Sequence, residues 1–216
     1  MRPVVYLGPS LPRSEAARIL DADYKPPVRR GDLPALDDDV SVIGIIDGVF
    51  MGEAAVGHRE IINKLRSGVR VFGAGSMGAL RAAELQDFGM VGVGMIFNKY
   101  LAREIDGDDE VALIFNPETL EPLSEPLINM RLNLEKAVGK GILARSDAMK
   151  IISCLKSKYF PKRTMAALRD CMKDALASER YATVAETFEN DYSDYKREDA
   201  IELLSTIAKI AKVEFR

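Results

Sequence analysis

The sequence predicts an α/β protein, a parallel sheet flanked by helices in a Rossmann-like core, followed by a C-terminal helical module. Three observations predict it. Short β-branched apolar runs at residues 4–7, 40–46 and 69–72 are each bounded by turn signals, as buried strands are. Stretches with helical periodicity separate the later runs, and parallel neighbours need such crossover connections. From about residue 127 onward the strand pattern stops and only helical periodicity remains.

The run 4–7 supplies the first strand. Residues 21–39 hold Pro26, Pro27, Arg29, Arg30, Gly31 and Pro34; they cannot form one regular helix and read as a functional loop. The run 40–46 is the second strand and delivers Asp47 at its carboxyl end. In residues 53–67, Ala54, Ile61, Ile62 and Leu65 share one helical face while Glu53, Arg59 and Lys64 stay exposed, which makes a crossover helix. The run 69–72 is the third strand; it enters a glycine-rich turn and then a helix over 79–85. After the stop at Gly89, residues 90–97 read as a fourth strand, and residues 111–115, closed by Asn116-Pro117, as the last. Helices are predicted at 127–140, 146–160, 164–179 and 196–211. The domain organisation is therefore a core at 1–126 and a helical module at 127–216, packed together because no Gly/Ser linker divides them.

Composition narrows the function classes. Of 216 residues, 47% are hydrophobic and 29% charged, with a net charge of −3. The interspersed signs provide no broad basic footprint for duplex nucleic acid. No apolar run approaches the roughly 20 residues of a membrane span, and no signal core opens the chain, so a cytoplasmic protein is predicted. Cys154 and Cys171 have no metal-ligand spacing and only His58 to accompany them, which argues against a Cys/His zinc site. They are read as buried, reduced thiols. The acidic turn Asp106-Gly107-Asp108-Asp109-Glu110 lacks calcium-loop spacing and reads as solvated.

The segment Gly73-Ala74-Gly75-Ser76-Met77-Gly78 fits three templates. As a dinucleotide fingerprint it has the G-x-G-x-x-G spacing, but no acid closes the following strand to hold a ribose, and the motif does not open the sheet. As a nucleophile elbow it would present Ser76 on a strand-to-helix turn, with alanine replacing the first glycine of G-x-S-x-G. It is also a plain tight turn. In the nucleophile reading His58 is the sole candidate imidazole base, and Asp47 or Glu53 the acid that orients it. In a parallel sheet, Asp47 and Ser76 share the crevice at the carboxyl ends of the strands. The N–H groups of Gly75, Met77 and Gly78 could hold an oxyanion, and Arg81 an anionic substrate.

Together, Gly8-Pro9-Ser10, Lys25-Pro26-Pro27, Arg30-Gly31-Asp32, Asp47-Gly48-Val49-Phe50, His58-Arg59-Glu60-Ile61, the run from Gly73 to Glu84 and Gly107-Asp108-Asp109-Glu110-Val111-Ala112 resemble the TfuA family. The resemblance implies a partner of YcaO, an enzyme that uses ATP to activate a peptide backbone amide for thioamidation. No cofactor or metal is implied on this chain, since the ATP belongs to YcaO. It further implies a sulfur-supplying role in which a ThiS-like sulfur-carrier protein, ending in a glycine thiocarboxylate, is cleaved to release sulfide. In methanogens the product would be the thioglycine of methyl-coenzyme M reductase, and in bacteria a thioamidated peptide. A non-catalytic adaptor that binds and activates YcaO is the alternative.

Overall fold

The computed structural model describes residues 2–50 and 54–214. A five-stranded parallel sheet forms from β1 (Val4–Tyr6), β2 (Asp23–Lys25), β3 (Val42–Ile45), β4 (Arg70–Gly73) and β5 (Val91–Gly92), in the order β2-β1-β3-β4-β5. The connections run through α1 (Arg13–Ile19), α2 (His58–Arg66) and α3 (Met77–Leu85), and α4 (Met95–Leu101) follows β5. Strand order reverses between β1 and β3, the topological switch point at which open α/β sheets bind ligands.

Side chains alternate across the strands. Val5, Leu7, Val42, Phe72 and Ala74 join Ala16 and Leu20 of the first crossover in one core with Ala200, Leu203, Leu204 and Ile207. The last four belong to α9 (Tyr195–Glu214). A Cβ on Gly44 would stand 3.1 Å from both Leu203 and Ile207, so the absent side chain lets α9 lie close to the sheet.

Two predicted strands fall elsewhere. In residues 90–97 only Val91–Gly92 pairs, and α4 already starts at Met95. Gly94 has φ +94°, and a Cβ on Gly92 would meet the Phe97 ring at 2.0 Å, so the chain turns back where an extended run was expected. Residues 111–115 make only the isolated bridge Phe115 to Pro122. Val111 and Ala112 are buried in the helical unit instead, behind Asp109 and Glu110, which pair with Arg163 and Arg131. Within the loop read at 21–39, Asp23–Lys25 adds the edge strand β2.

The chain divides into two compact units, one running through Asp108 and resuming at Lys196, the other spanning Asp109–Tyr195. The predicted division at 126 therefore differs from the observed one, and α9 belongs with the sheet because its apolar face completes that core. The helical unit contains α5 (Leu127–Gly139), α6 (Arg145–Lys156), α7 (Met165–Ala175) and α8 (Ser178–Asp191). Its core joins Leu134, Ile151, Leu155, Leu168, Met172 and Phe188. Helix α8 went unpredicted. Cys154 and Cys171 form a disulfide between α6 and α7, with Cα atoms 5.9 Å apart, which corrects the reading as reduced thiols. No helix of the described residues is long and apolar enough to cross a membrane.

Candidate functional site

At the switch point, Asp47 leaves the end of β3 and faces the loop that leaves β1. Its Oδ2 accepts the Gly8 N–H at 2.8 Å and the Ser10 N–H at 3.1 Å, and its Oδ1 accepts the Ser10 hydroxyl at 2.7 Å. Lys196, the second residue of α9, brings its Nζ to 3.9 Å from Oδ1, and both side chains are 3% exposed. The loop after β2 closes over this cluster: a Cβ on Gly8 would lie 2.5 Å from the Pro27 ring, and Val28 bridges Gly48. A buried carboxylate needs this many donors, since each unpaired lone pair would forfeit its hydration.

The glycine turn lies next to it. Gly75 takes φ +69°, which favours glycine. A Cβ on Gly78 would stand 1.8 Å from the Ile45 carbonyl oxygen, and one on Gly73 would stand 2.1 Å from the Gly78 carbonyl oxygen. Gly73 and Gly78 therefore serve the close approach of α3 to β3 and β4, without any dinucleotide to explain them. Ser76 is 7% exposed and occupies the N-cap position of α3. The Gly78 N–H donates to the Ile46 carbonyl at 3.2 Å, which removes it from the predicted oxyanion donors. A Cβ on Gly48 would meet Met77 at 2.7 Å, so the residues following Asp47 and Ser76 abut.

His58 is placed differently from the reading that paired it with Asp47. It opens α2, half-exposed, and its Nε2 lies 2.8 Å from Glu84 Oε2. Arg81 donates to the same oxygen at 2.6 Å and, through Nε, to the Val56 carbonyl at 3.2 Å. Glu84 is thus the carboxylate that orients His58, and Asp47 is committed to Gly8, Ser10 and Lys196. Glu53 lies outside the described residues. From Ser76 to Glu84 the helix rises about 12 Å, so His58 hangs two turns from the serine and does not touch it. The turn that carries Ser76 meets the end of β3 through Met77 and Gly48, while His58, Glu84 and Arg81 form a separate cluster.

The sequence reading missed Lys196 and the partner role of Glu84. Lys196 carries no local signal, since it is one lysine at the start of a polar helix. Glu84 was visible beside Arg81, but its distance from His58 in sequence hid the pairing. The acidic turn also changes meaning: Glu110 is fully buried and held by Arg131, while Asp109 pairs with Arg163, itself 1% exposed. Among the described residues no group of three or more His, Cys, Asp or Glu side chains is placed to hold a metal ion. On α9, Asp199 accepts the N–H groups of Met95 and Ile96 at 2.8 and 2.9 Å, and burial pushes its carboxyl up to about 7 in spite of them.

A family model described as TfuA-like protein matches residues 47–164, more than half of the chain. The chain belongs to the TfuA-like family. That membership makes it an accessory protein of peptide thioamidation, the setting in which TfuA-like proteins partner YcaO. The matched segment of this TfuA-like chain begins at Asp47 and takes in His58, the Ser76 turn, Arg81, Glu84 and the Glu110 and Arg163 pairs. Ser10 and Lys196, which complete the surroundings of Asp47, lie outside it. No curated protein matches the chain.

Proposed function

We propose that this TfuA-like protein hydrolyses the C-terminal thiocarboxylate of a ThiS-like sulfur-carrier protein and delivers the sulfide to YcaO. The observation that carries the reading is the juxtaposition of the Ser76 turn with the buried Ser10–Asp47–Lys196 cluster at the switch point. The ThiS-like carrier, the hydrolytic step and the acceptor belong to this proposal. In a methanogen the acceptor is methyl-coenzyme M reductase, and in bacteria a ribosomally made peptide.

The chemistry is acyl transfer. The Ser76 oxygen bonds to the thiocarboxylate carbon, the C–S bond breaks and sulfur leaves as hydrosulfide, carrying the serine proton. Water then cleaves the acyl-serine, giving the carrier's carboxylate and restoring the hydroxyl. The Met77 N–H, at the start of α3, points its dipole toward the developing oxyanion. His58, held by Glu84, passes protons through intervening water, because two helical turns separate it from Ser76.

The test is sulfide release from a thiocarboxylated carrier protein, with and without YcaO. Release should vanish in Ser76→Ala and fall by about a hundredfold in His58→Ala. Absence of release by the wild type in both conditions, with YcaO binding intact, would leave a non-catalytic adaptor.

A further inference from the structure

The site as it stands is shut. Ser76, Asp47 and Ser10 are all buried, so a polypeptide end cannot reach them unless part of their cover moves. One wall of that cover is fixed, because Ile46, Ala74 and Ala200 belong to the core between the sheet and α9. The other wall is residues 26–32, which follow β2. There the Pro27 ring packs on Gly8, and Val28 Cγ1 stands 3.1 Å from where a Gly48 Cβ would be, the same point that Met77 approaches to 2.7 Å. Val28 thus closes the seam between the end of β3 and the turn that carries Ser76.

Backbone hydrogen bonds and one side chain hold this wall down. The Val28 N–H donates to the Asp47 carbonyl, the Val49 N–H to the Val28 carbonyl and the Arg30 N–H to the Ala54 carbonyl, each at 2.9 Å. The Gly31 N–H donates to Glu60 Oε2 at 2.9 Å, while Oε1 of the same carboxylate accepts the Gly57 N–H at 3.2 Å, at the N-cap of α2. The tip bonds to itself: the Asp32 N–H donates to the Arg29 carbonyl at 3.2 Å, and the Arg29 N–H to Asp32 Oδ2 at 2.8 Å. Gly31 supplies the left-handed residue of this turn, at φ +91°. The tip is therefore a closed turn that can travel as one piece.

A second observation marks the same segment as movable. The Tyr6 hydroxyl, at the end of β1, is buried without a hydrogen-bond partner among the described residues. Burial raises its ionisation, and Asp32, Asp23 and Glu60 raise it further, which places the phenol near the tip and its anchor. An unmade bond of a buried donor is a cost of the closed form, and lifting the segment returns the hydroxyl to water. Lifting also exposes Pro27 and Val28, the buried residues of the segment. These two terms oppose each other, as in segments that open well before the whole fold does.

We infer that residues 26–32 form a strap over the seam between Asp47 and the Ser76 turn, latched by Glu60, which lifts as one unit to admit the C-terminal tail of the carrier. Lys25, whose carbonyl accepts the Leu7 N–H at 2.9 Å, and the fully buried Leu33 fix the two ends about which it turns. That a carrier tail enters rests on the hydrolase reading above; the unitary opening stands on the bonds just described.

Amide hydrogen exchange on the full chain tests the unit. In the wild type the N–H groups of Val28, Arg30, Gly31 and Val49 should share one protection factor, about tenfold or more below those of β3 and β4. Glu60→Ala takes an acceptor from Gly31 and Gly57 only. Val28 and Val49, which bond to backbone, should nevertheless speed up by the same factor as Gly31, about tenfold or more. Affinity for a ThiS-like carrier ending in glycine carboxylate, measured by titration, should rise by that factor, since the tail binds only the open form. Exchange of Val28 and Val49 only together with the sheet in the wild type overturns the inference, and that measurement stands even if Glu60→Ala folds poorly. Speeding confined to Gly31 and Gly57 overturns it too, as does an unchanged carrier affinity in a variant whose strap has opened. Matching gains in exchange and affinity without sulfide release leave the strap standing and remove the hydrolase reading.

Discussion

In the helical unit Glu110 is gripped by the fork of Arg131, and Asp109 by Arg163, whereas in the sheet unit Asp47 gives its close contacts to Gly8 and Ser10 and leaves Lys196 at 3.9 Å. The difference is one of saturation. A guanidinium bound through two nitrogens has spent its charge on its partner, and such a pair acts as a staple. Asp47 instead meets its lysine at 3.9 Å, beyond hydrogen-bond distance, and is satisfied at close range by backbone and hydroxyl donors. Burial alone does not set how a carboxylate is paired; the geometry of its donors does.

The sharpest way to break this comparison is on the working side, where Ser76→Ala should lower sulfide release by about a thousandfold or more while leaving the thermal transition within a few degrees. Retention of more than a tenth of the rate would move the chemistry away from the turn. On the staple side, Arg163→Met strands Asp109 and should cost about 3–5 kcal/mol in urea unfolding. Sulfide release per folded molecule should stay within about twofold, since Arg163 belongs to the other unit. A variant as stable as the wild type would show that the fork is no staple.

Reducing the Cys154–Cys171 bridge, which spans 17 residues, should cost roughly 3 kcal/mol and lower the melting temperature with little effect on the sheet unit. Identical transitions with and without reductant would contradict this. Asp199 offers a pH axis. Its folded carboxyl is raised from 3.8 to about 7, so the folded state binds the proton more tightly. Its contribution to stability is full below 3.8 and is lost as pH rises through about 7. The stability of Asp199→Asn relative to wild type should therefore improve between about pH 4 and about pH 7 and level off above, and a pH-independent difference would count against it. The smallest effect belongs to the half-exposed His58–Glu84 pair, whose removal by Glu84→Gln should change stability by less than about 1 kcal/mol.

The sheet was legible in the sequence wherever a buried strand carries its own turn signals. The runs before Gly8, Asp47 and Gly73 needed no tertiary information, and neither did the helices that follow the second and third of them, whereas α1 after the first was not predicted. Residues 90–97 misled because apolar content alone cannot distinguish a strand from the buried start of a helix; Gly92 turns the chain against Phe97, and Gly94 meets Asp199, which no local window contains. Helix α8 hid for the opposite reason, since Val184 and Phe188 are its only well-buried apolar residues. In the site, the serine turn and Asp47 were visible because chain topology alone brings strand ends together. The partners of His58, Asp47 and Glu110 were not, because each depends on a side chain 21 or more residues away.

The return of α9 to the sheet after an entire helical unit also sets an order of events during synthesis. Val5, Leu7 and Phe72 emerge early, but Leu203, Leu204 and Ile207, which cover them, are translated only after α5 through α8. At elongation rates of about 5–20 residues per second the wait is on the order of 7–27 s. For that interval the nascent chain exposes an apolar sheet face, and the crevice holds Asp47 without its lysine. Nascent protein therefore passes through a chaperone-sensitive stage, and the helix that ends this stage is the one that brings Lys196 beside Asp47.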